Sequence, residues 1–67
     1  MPISQTKDEF RDMANDVGLY DELADTIYDI NVIVTPPNVI GLATICNEVG
    51  LYDEKADHLV EAGVTFA

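Results

Sequence analysis

Carboxylates beside a tyrosine are the residues of this chain whose types and spacing could do chemistry, and they occur as two matching sets. The sets, 32 positions apart, are Tyr20, Asp21, Glu22 and Asp25, and Tyr52, Asp53, Glu54 and Asp57. Clustered carboxylates can hold a cation, or they can attract a basic surface as phosphates do. Neither set has the alternating oxygen ligands and central glycine of a calcium loop. A metal site is therefore the least favoured of these uses.

Each set also has an explanation that needs no partner. Acidic residues at the start of a helix interact favourably with its N-terminus and can simply lie in solvent. The rings of Tyr20 and Tyr52 could cover their own turns, although tyrosine is also a frequent anchor residue in interfaces. The sequence leaves a solvated helix face and a recognition surface both open.

No arrangement of residues in the chain is typical of an enzyme or of a cofactor site. There is no phosphate-binding loop and no Ser–His–Asp arrangement, and His58 has no nucleophile or second base to work with. Cys46, the single cysteine, lies 32 positions after Ala14, the same offset that separates the two sets. We therefore expect Cys46 to be a small buried apolar residue. One Cys and one His cannot complete a four-ligand zinc site. We expect no catalytic residue, no metal and no cofactor.

The two sets lie within an eleven-residue phrase that the chain uses twice. NDVGLYDELAD spans residues 15–25 and NEVGLYDEKAD spans residues 47–57, with nine of the eleven positions identical. A repeat unit this short cannot bury its apolar face alone, so the two units are expected to cover each other. We predict a single domain, 1–67, with an internal repeat of residues 3–35 and 36–67.

Apolar spacing and capping residues predict two helical hairpins, that is, an all-α fold of four short helices. Thr6 and Glu9 have the spacing of a capping box at the start of the first helix, and Gly18 follows its end. The second helix is predicted to run to about Asp29 and the fourth to end at Gly63. Side chains expected to face the core recur at helical spacing. They are Phe10, Met13, Ala14, Val17, Leu19, Leu23, Ala24, Ile27 and Ile30, then Leu42, Ile45, Cys46, Val49, Leu51, Ala56, Leu59 and Val60.

Short apolar stretches follow the second and fourth helices. Residues 32–34 and 64–66 are predicted to be extended tails, since β-branched residues favour that conformation. The tails could pair with each other as a two-stranded ribbon, or one could dock on a second subunit. Residues 35–38, which include two prolines, are predicted to end the first unit and to begin the third helix.

The composition predicts a folded domain with an acidic surface. Thirteen Asp and Glu against three Lys and Arg give a formal charge of −10, while 48% of the residues are hydrophobic. That apolar content is too high for a disordered acidic tail. The charge favours basic partners, although adaptation to high salt would produce it without any binding role. Prolines interrupt the uncharged stretch 30–47, so we expect no membrane span and place the chain in a cytoplasm, the host's if its source is viral.

The glycine turn of each unit resembles the helix-hairpin-helix motif of DNA repair and recombination proteins. That motif reads Gly, hydrophobic, Gly, three variable residues, Ala, and a hydrophobic residue three further on. Gly50-Leu51-Tyr52 with Ala56 fits this frame except at the second glycine, and Gly18-Leu19-Tyr20 with Ala24 fits it equally. The resemblance implies a tandem helical domain that contacts DNA phosphates through the backbone of its turns.

Both units depart from the motif at the position where the family touches DNA. Tyr20 and Tyr52 replace the second glycine, and two carboxylates follow where the family has basic residues. Because binding to nucleic acid depends on neutralising phosphates, we do not expect direct nucleic-acid binding.

These features together predict a small acidic, non-enzymatic protein that binds a basic protein through the two sets. Its sharpest form is a regulator or inhibitor that mimics nucleic acid. Two alternatives stay open. One is a helix-hairpin-helix nucleic-acid-binding module, and the other is a structural subunit that forms a homodimer through the uncharged stretch 30–47.

Overall fold

Four α-helices form the protein in the computed structural model, which describes residues 2–34 and 41–67. The helices are α1, Lys7–Asp16; α2, Asp21–Asp29; α3, Leu42–Glu48; and α4, Asp53–Glu61. α1 packs against α2 and α3 packs against α4, so the chain forms two helical hairpins. The predicted all-α fold of four short helices is confirmed.

The first helix begins at the capping box that the sequence predicts. The Thr6 hydroxyl accepts a hydrogen bond from the backbone N–H of Glu9 at 3.2 Å. The Glu9 carboxylate in turn accepts one from the backbone N–H of Thr6 at 2.9 Å. These bonds satisfy two backbone donors that a helix start otherwise leaves unpaired. They fix where α1 begins.

The core takes side chains from both hairpins and from both ends of the described chain. Its buried apolar residues are Ile3, Phe10, Ala14, Leu19, Ala24, Ile27, Leu42, Ile45, Cys46, Ala56, Leu59 and Val64. All of these except Ile3 and Val64 are positions that the helical spacing predicts. Val60 was predicted to face the core, but it is 51% exposed. The helix register was therefore correct, with one face of α4 less covered than expected.

The connector after α2 is helical, so the prediction of an extended tail at 32–34 is wrong. Ile30–Val34 continue α2 as a π-helical turn, and this turn also packs against α3. Asn31 is buried, and its Oδ1 accepts a hydrogen bond from the backbone N–H of Ile3 at 2.8 Å. Tertiary contacts of this kind outweigh the weak extended preference of β-branched residues.

The second tail pairs with the N-terminal segment, so the alternative of a ribbon between the two tails is also wrong. The N–H of Ser4 donates to the carbonyl of Thr65 at 2.9 Å, and the N–H of Ala67 donates to the carbonyl of Pro2 at 2.9 Å. Ile3 and Phe66 form an antiparallel bridge between these bonds. The two ends of the described chain are thereby held together over the core.

The two hairpins differ at the start of their first helices. α3 begins at Leu42 with Gly41 as its N-cap and has no side-chain cap, whereas α1 begins three positions earlier in the repeat at Lys7. The predicted helix start at 35–38 lies outside the described residues. α4 ends at Glu61, and Gly63 follows with a φ of +116°.

Candidate functional site

Each hairpin turn is closed in the same way, and this places the two carboxylate sets equivalently. Gly18 and Gly50 have φ values of +88° and +89°, a left-handed conformation that glycine adopts without steric cost. The next N–H reaches back to the last turn of the helix, from Leu19 to Ala14 at 2.9 Å and from Leu51 to Cys46 at 2.8 Å. This is the Schellman arrangement that ends a helix at glycine.

The tyrosine after each turn is the N-cap of the hairpin's second helix. Tyr20 and Tyr52 have nearly identical backbone angles, with φ/ψ of −82°/159° and −87°/159°. They are 79% and 80% exposed. A ring that covered its own turn would lose most of its contact with water, so this exposure argues against that explanation.

An asparagine positions the first carboxylate of each set. Asn15 Nδ2 donates to the carbonyl of Leu19 at 2.9 Å and to Asp21 Oδ1 at 3.0 Å. Asn47 Nδ2 donates to Asp53 Oδ1 in the second hairpin. Both carboxylates therefore lie over the first turn of α2 or α4, where the helix dipole favours negative charge.

We call the end of each hairpin that carries the tyrosine and the first two carboxylates a tip: Tyr20, Asp21 and Glu22 form the first tip, and Tyr52, Asp53 and Glu54 form the second. Asn15, Leu19, Tyr20, Asp21 and Glu22 together line an open hollow of about 510 Å³. Its walls combine one exposed ring with two carboxylates. Such a hollow can take a positively charged side chain beside an apolar one.

The last carboxylate of each set is used differently in the two hairpins. Asp25 is half-buried and accepts two hydrogen bonds from Arg11, from Nε at 3.1 Å and from Nη2 at 3.2 Å. Asp57 is exposed, and no Lys or Arg within residues 2–34 and 41–67 forms an ion pair with it. Asp57 is thus available to a partner, whereas Asp25 would first have to leave Arg11.

All three basic side chains are engaged in contacts within the molecule. Lys7 Nζ lies 3.1 Å from Asp29 Oδ1, and Arg11 binds Asp25 and lies 3.3 Å from Asp8. Lys55 Nζ donates to the carbonyl of Val17 at 2.7 Å, at the end of α1. The tip carboxylates are therefore not neutralised by Lys or Arg side chains of the described chain.

Lys55 has a role that the sequence analysis missed. Its bond to Val17 connects α4 with the end of α1, so it joins the two hairpins, and a cation there complements the negative end of the α1 dipole. The sequence does contain a signal for this role, because Lys55 replaces Leu23 at one of only two positions where the repeated phrases differ.

A second feature without a sequence prediction is a groove on the outer side of α3 and α4. Its volume is about 390 Å³. It is lined by Asn31, Gly41, Leu42, Ala43, Ala56, Asp57, Val60 and Phe66. The signal lay in the repeat, where Arg11 and Tyr28 of the first unit correspond to the smaller Ala43 and Val60.

Cys46 and His58 do not add to either surface. Cys46 is buried as predicted, and burial, together with the negative charge of Asp53, raises the pKa of its thiol. A thiol of raised pKa is a poor nucleophile. His58 is exposed in the last turn of α4. Across residues 2–34 and 41–67, no three His, Cys, Asp or Glu side chains converge as metal ligands.

Comparisons with family models, curated proteins and solved structures found no match to this chain. In the part of the chain that the structure describes, no helix is both long enough and apolar enough to cross a membrane. The candidate surfaces are therefore judged on their own geometry. They are the two tyrosine–carboxylate tips and the groove of the second hairpin.

Proposed function

We propose that this chain is a small, non-enzymatic interaction protein that binds a basic protein surface through its two tips. Its sharpest form is an inhibitor or regulator that presents carboxylates where a nucleic acid would present phosphates. The proposal places it in a cytoplasm, the host's if its source is viral. The observation that carries it is the division of charge: the three basic side chains are held in internal contacts, while the tip carboxylates face solvent.

The exposed tyrosines support the same function. A rigid ring that is about four-fifths exposed, at 79% and 80% in the two tips, is a strong anchor for a partner because it buries a large area at small entropic cost. Carboxylates around it steer a basic partner and raise the association rate. Together the ring and its acids can give both contact area and selectivity for positive charge.

The test compares two charge reversals of equal size. The tip variant Glu22→Lys/Glu54→Lys and the control variant Glu48→Lys/Glu61→Lys each change the formal charge by +4, from −10 to −6. All four side chains are exposed. Each protein is immobilised, and the basic proteins retained from a lysate of its source cells are quantified at low and at moderate salt.

We expect the tip variant to retain about tenfold less of the basic partner, since each lost ion pair contributes up to about 1 kcal/mol. The control variant should retain nearly as much as the parent. Binding should weaken with salt because exposed charges are screened over about 8 Å at physiological ionic strength. Equal retention by the tip variant and the parent would remove the basis of the proposal.

The helix-hairpin-helix alternative has one observation in its favour, the left-handed glycine at each turn. A gel-shift assay at low salt with duplex and branched DNA decides between the two. Our proposal expects no shift. A shift that is lost in Gly18→Ala and Gly50→Ala, while both variants stay folded, would favour the nucleic-acid module instead.

A further inference from the structure

The groove of the second hairpin has a counterpart in the first hairpin that the chain fills with its own side chains. Arg11 lies on the outer side of α1 and binds Asp25 of α2 through two guanidinium nitrogens, at 3.1 and 3.2 Å. Tyr28 packs its ring against Phe10, with ring centroids 5.7 Å apart. An arginine and an aromatic ring thus close the space between α1 and α2.

The second hairpin keeps the surroundings of that pair and lacks the pair itself. Ala43 stands in place of Arg11 and Val60 in place of Tyr28, whereas Asp57 repeats Asp25. The result is the groove of about 390 Å³, with an apolar floor that includes Leu42 and an exposed carboxylate at its edge. Val60, which is 51% exposed, forms one wall.

We propose that this groove binds an arginine side chain together with a neighbouring aromatic side chain of the basic partner. The guanidinium takes the place of Arg11 and forms two hydrogen bonds with Asp57, a geometry that arginine and carboxylate share. The ring takes the place of Tyr28 and packs on Leu42 and Val60. This inference rests on the proposed function, because it specifies the chemistry that such a partner brings.

Charge complementarity selects this occupant over a second copy of the chain. A second copy carries the same charge of −10, and its arginine and two lysines are already engaged internally. Docking of two such molecules would bring like charges together without a free guanidinium for Asp57. A basic protein segment supplies the missing cation and the missing ring together.

The test uses a defined probe, the blocked pentapeptide Gly-Arg-Gly-Tyr-Gly, and a matched peptide with glutamine in place of arginine. Both are titrated into the ¹⁵N-labelled protein while amide chemical shifts are followed. We expect the arginine peptide to shift residues around the groove, such as Ala43, Ala56 and Val60. The equivalent residues Arg11, Ala24 and Tyr28 should stay unshifted, and the glutamine peptide should bind about fivefold more weakly or not at all.

Variants separate the groove from general attraction by acids. Asp57→Asn should weaken the arginine peptide about fivefold, whereas Glu61→Gln, which removes the same charge outside the groove, should change binding less than twofold. Ala43→Arg/Val60→Tyr gives the second hairpin the pair of the first. It should abolish peptide binding and leave the helical circular-dichroism spectrum unchanged.

Three outcomes would overturn this inference. The first is an equal response to both peptides or to Asp57→Asn and Glu61→Gln. The second is a set of shifts at residues 41–43 and 60 that depends on protein concentration without peptide, which would put a second copy in the groove. The third is a set of nuclear Overhauser effects from residues 35–40 to the methyl groups of Leu42 and Val60 that persists at saturating peptide, which would put the chain's own segment there.

Failure here and failure of the proposed function are distinguishable. If the peptide misses the groove while Glu22→Lys/Glu54→Lys still weakens capture of basic proteins, the tips carry the recognition alone. If the peptide binds the groove while that tip variant behaves as the parent, the groove carries recognition and the role of the tips is wrong.

Discussion

The two hairpins agree in their turns and differ on their outer faces. The turn glycines have the same left-handed φ within 1°, at +88° and +89°, and the bonds that close each turn differ by 0.1 Å, at 2.9 and 2.8 Å. On the outer face, Arg11 and Tyr28 of the first hairpin become Ala43 and Val60 in the second. One unit is closed by its own side chains, and the other has a groove in the same place.

This difference shows which positions the fold constrains. The backbone conformation of the turn requires glycine, because few other residues adopt a left-handed φ without strain. The outer side chains are less constrained, because the second hairpin folds without the larger pair and without the ion pair that Arg11 forms with Asp25. A duplicated unit can therefore keep its hairpin while it opens a surface, and stability measurements should show where the two units stop being equivalent.

The largest expected difference between the hairpins is at the equivalent core positions Phe10 and Leu42. Phe10 is fully buried beneath Tyr28, whereas Leu42 is 7% exposed on the floor of the groove. We expect Phe10→Ala to lower the free energy of unfolding by about 4 kcal/mol and Leu42→Ala by about 2 kcal/mol. Urea denaturation followed by circular dichroism measures both.

The stability of a chain this short is itself only several kcal/mol, so Phe10→Ala could unfold it. The milder Phe10→Leu gives the first hairpin the residue of the second and should cost about 1 kcal/mol. A loss for Leu42→Ala that equals or exceeds the loss for Phe10→Ala would show that the groove is as tightly packed as the closed hairpin.

Substitutions at the two turn glycines, by contrast, should lower the free energy of unfolding by equal amounts. A Cβ at Gly18 would meet only Lys55 Nζ at 3.8 Å, and one at Gly50 would meet nothing within 4 Å, so the cost comes from φ and not from crowding. Gly18→Ala and Gly50→Ala should each lower the free energy of unfolding by about 1–2 kcal/mol. Asparagine tolerates this conformation better, so Gly18→Asn and Gly50→Asn should lower the free energy of unfolding by less. Thermal unfolding of all four variants measures these differences. A difference above 1 kcal/mol between the two alanine variants would contradict equivalent turns.

The helices and tips were predictable because their signals are local. Thr6 with Glu9 marks a helix start, Gly18 marks a helix end, and apolar spacing assigns the face that carries Ile27 and Leu59 to the core. Each signal acts within one or two helical turns, so a single sequence contains it.

The connector and the groove were not predicted, because both depend on residues that are distant from each other in the sequence. Asn31 is buried and bonded to Ile3, which lies 28 positions away in the sequence. The residues around 30–34 contain no local pattern that predicts a π-helical turn. The groove appears only when Ala43 and Val60 are compared with Arg11 and Tyr28 at the offset of 32. Spacing within one helix identifies apolar positions, but it does not say how much of the space above them is filled.

The smallest expected difference lies at the helix starts, where α1 has a capping box and α3 has Gly41 without a side-chain cap. Thr6→Ala should lower the free energy of unfolding by about 1 kcal/mol, and Gly41→Ser should raise it by a few tenths. The backbone of Gly41, with a φ of −77°, suits any residue, and a Cβ there meets nothing within 4 Å.

The capping box of α1 should also make stability depend on pH in a way that the start of α3 does not. Hydrogen bonds from the backbone and side chain of Thr6 lower the pKa of Glu9 below its ordinary value of 4.5. A group whose folded-state pKa is lowered stabilises the fold above its unfolded-state pKa, and that contribution disappears as the pH falls through the folded-state value. The cost of Glu9→Ala, measured by urea denaturation at a series of pH values, should therefore be greatest at neutral pH and shrink below pH 4.5. The effect of Gly41→Ser should be the same at every pH, since no titrating group takes part in that cap. A cost of Glu9→Ala that stayed constant through this range would mean that the Glu9 carboxylate does not hold the start of α1.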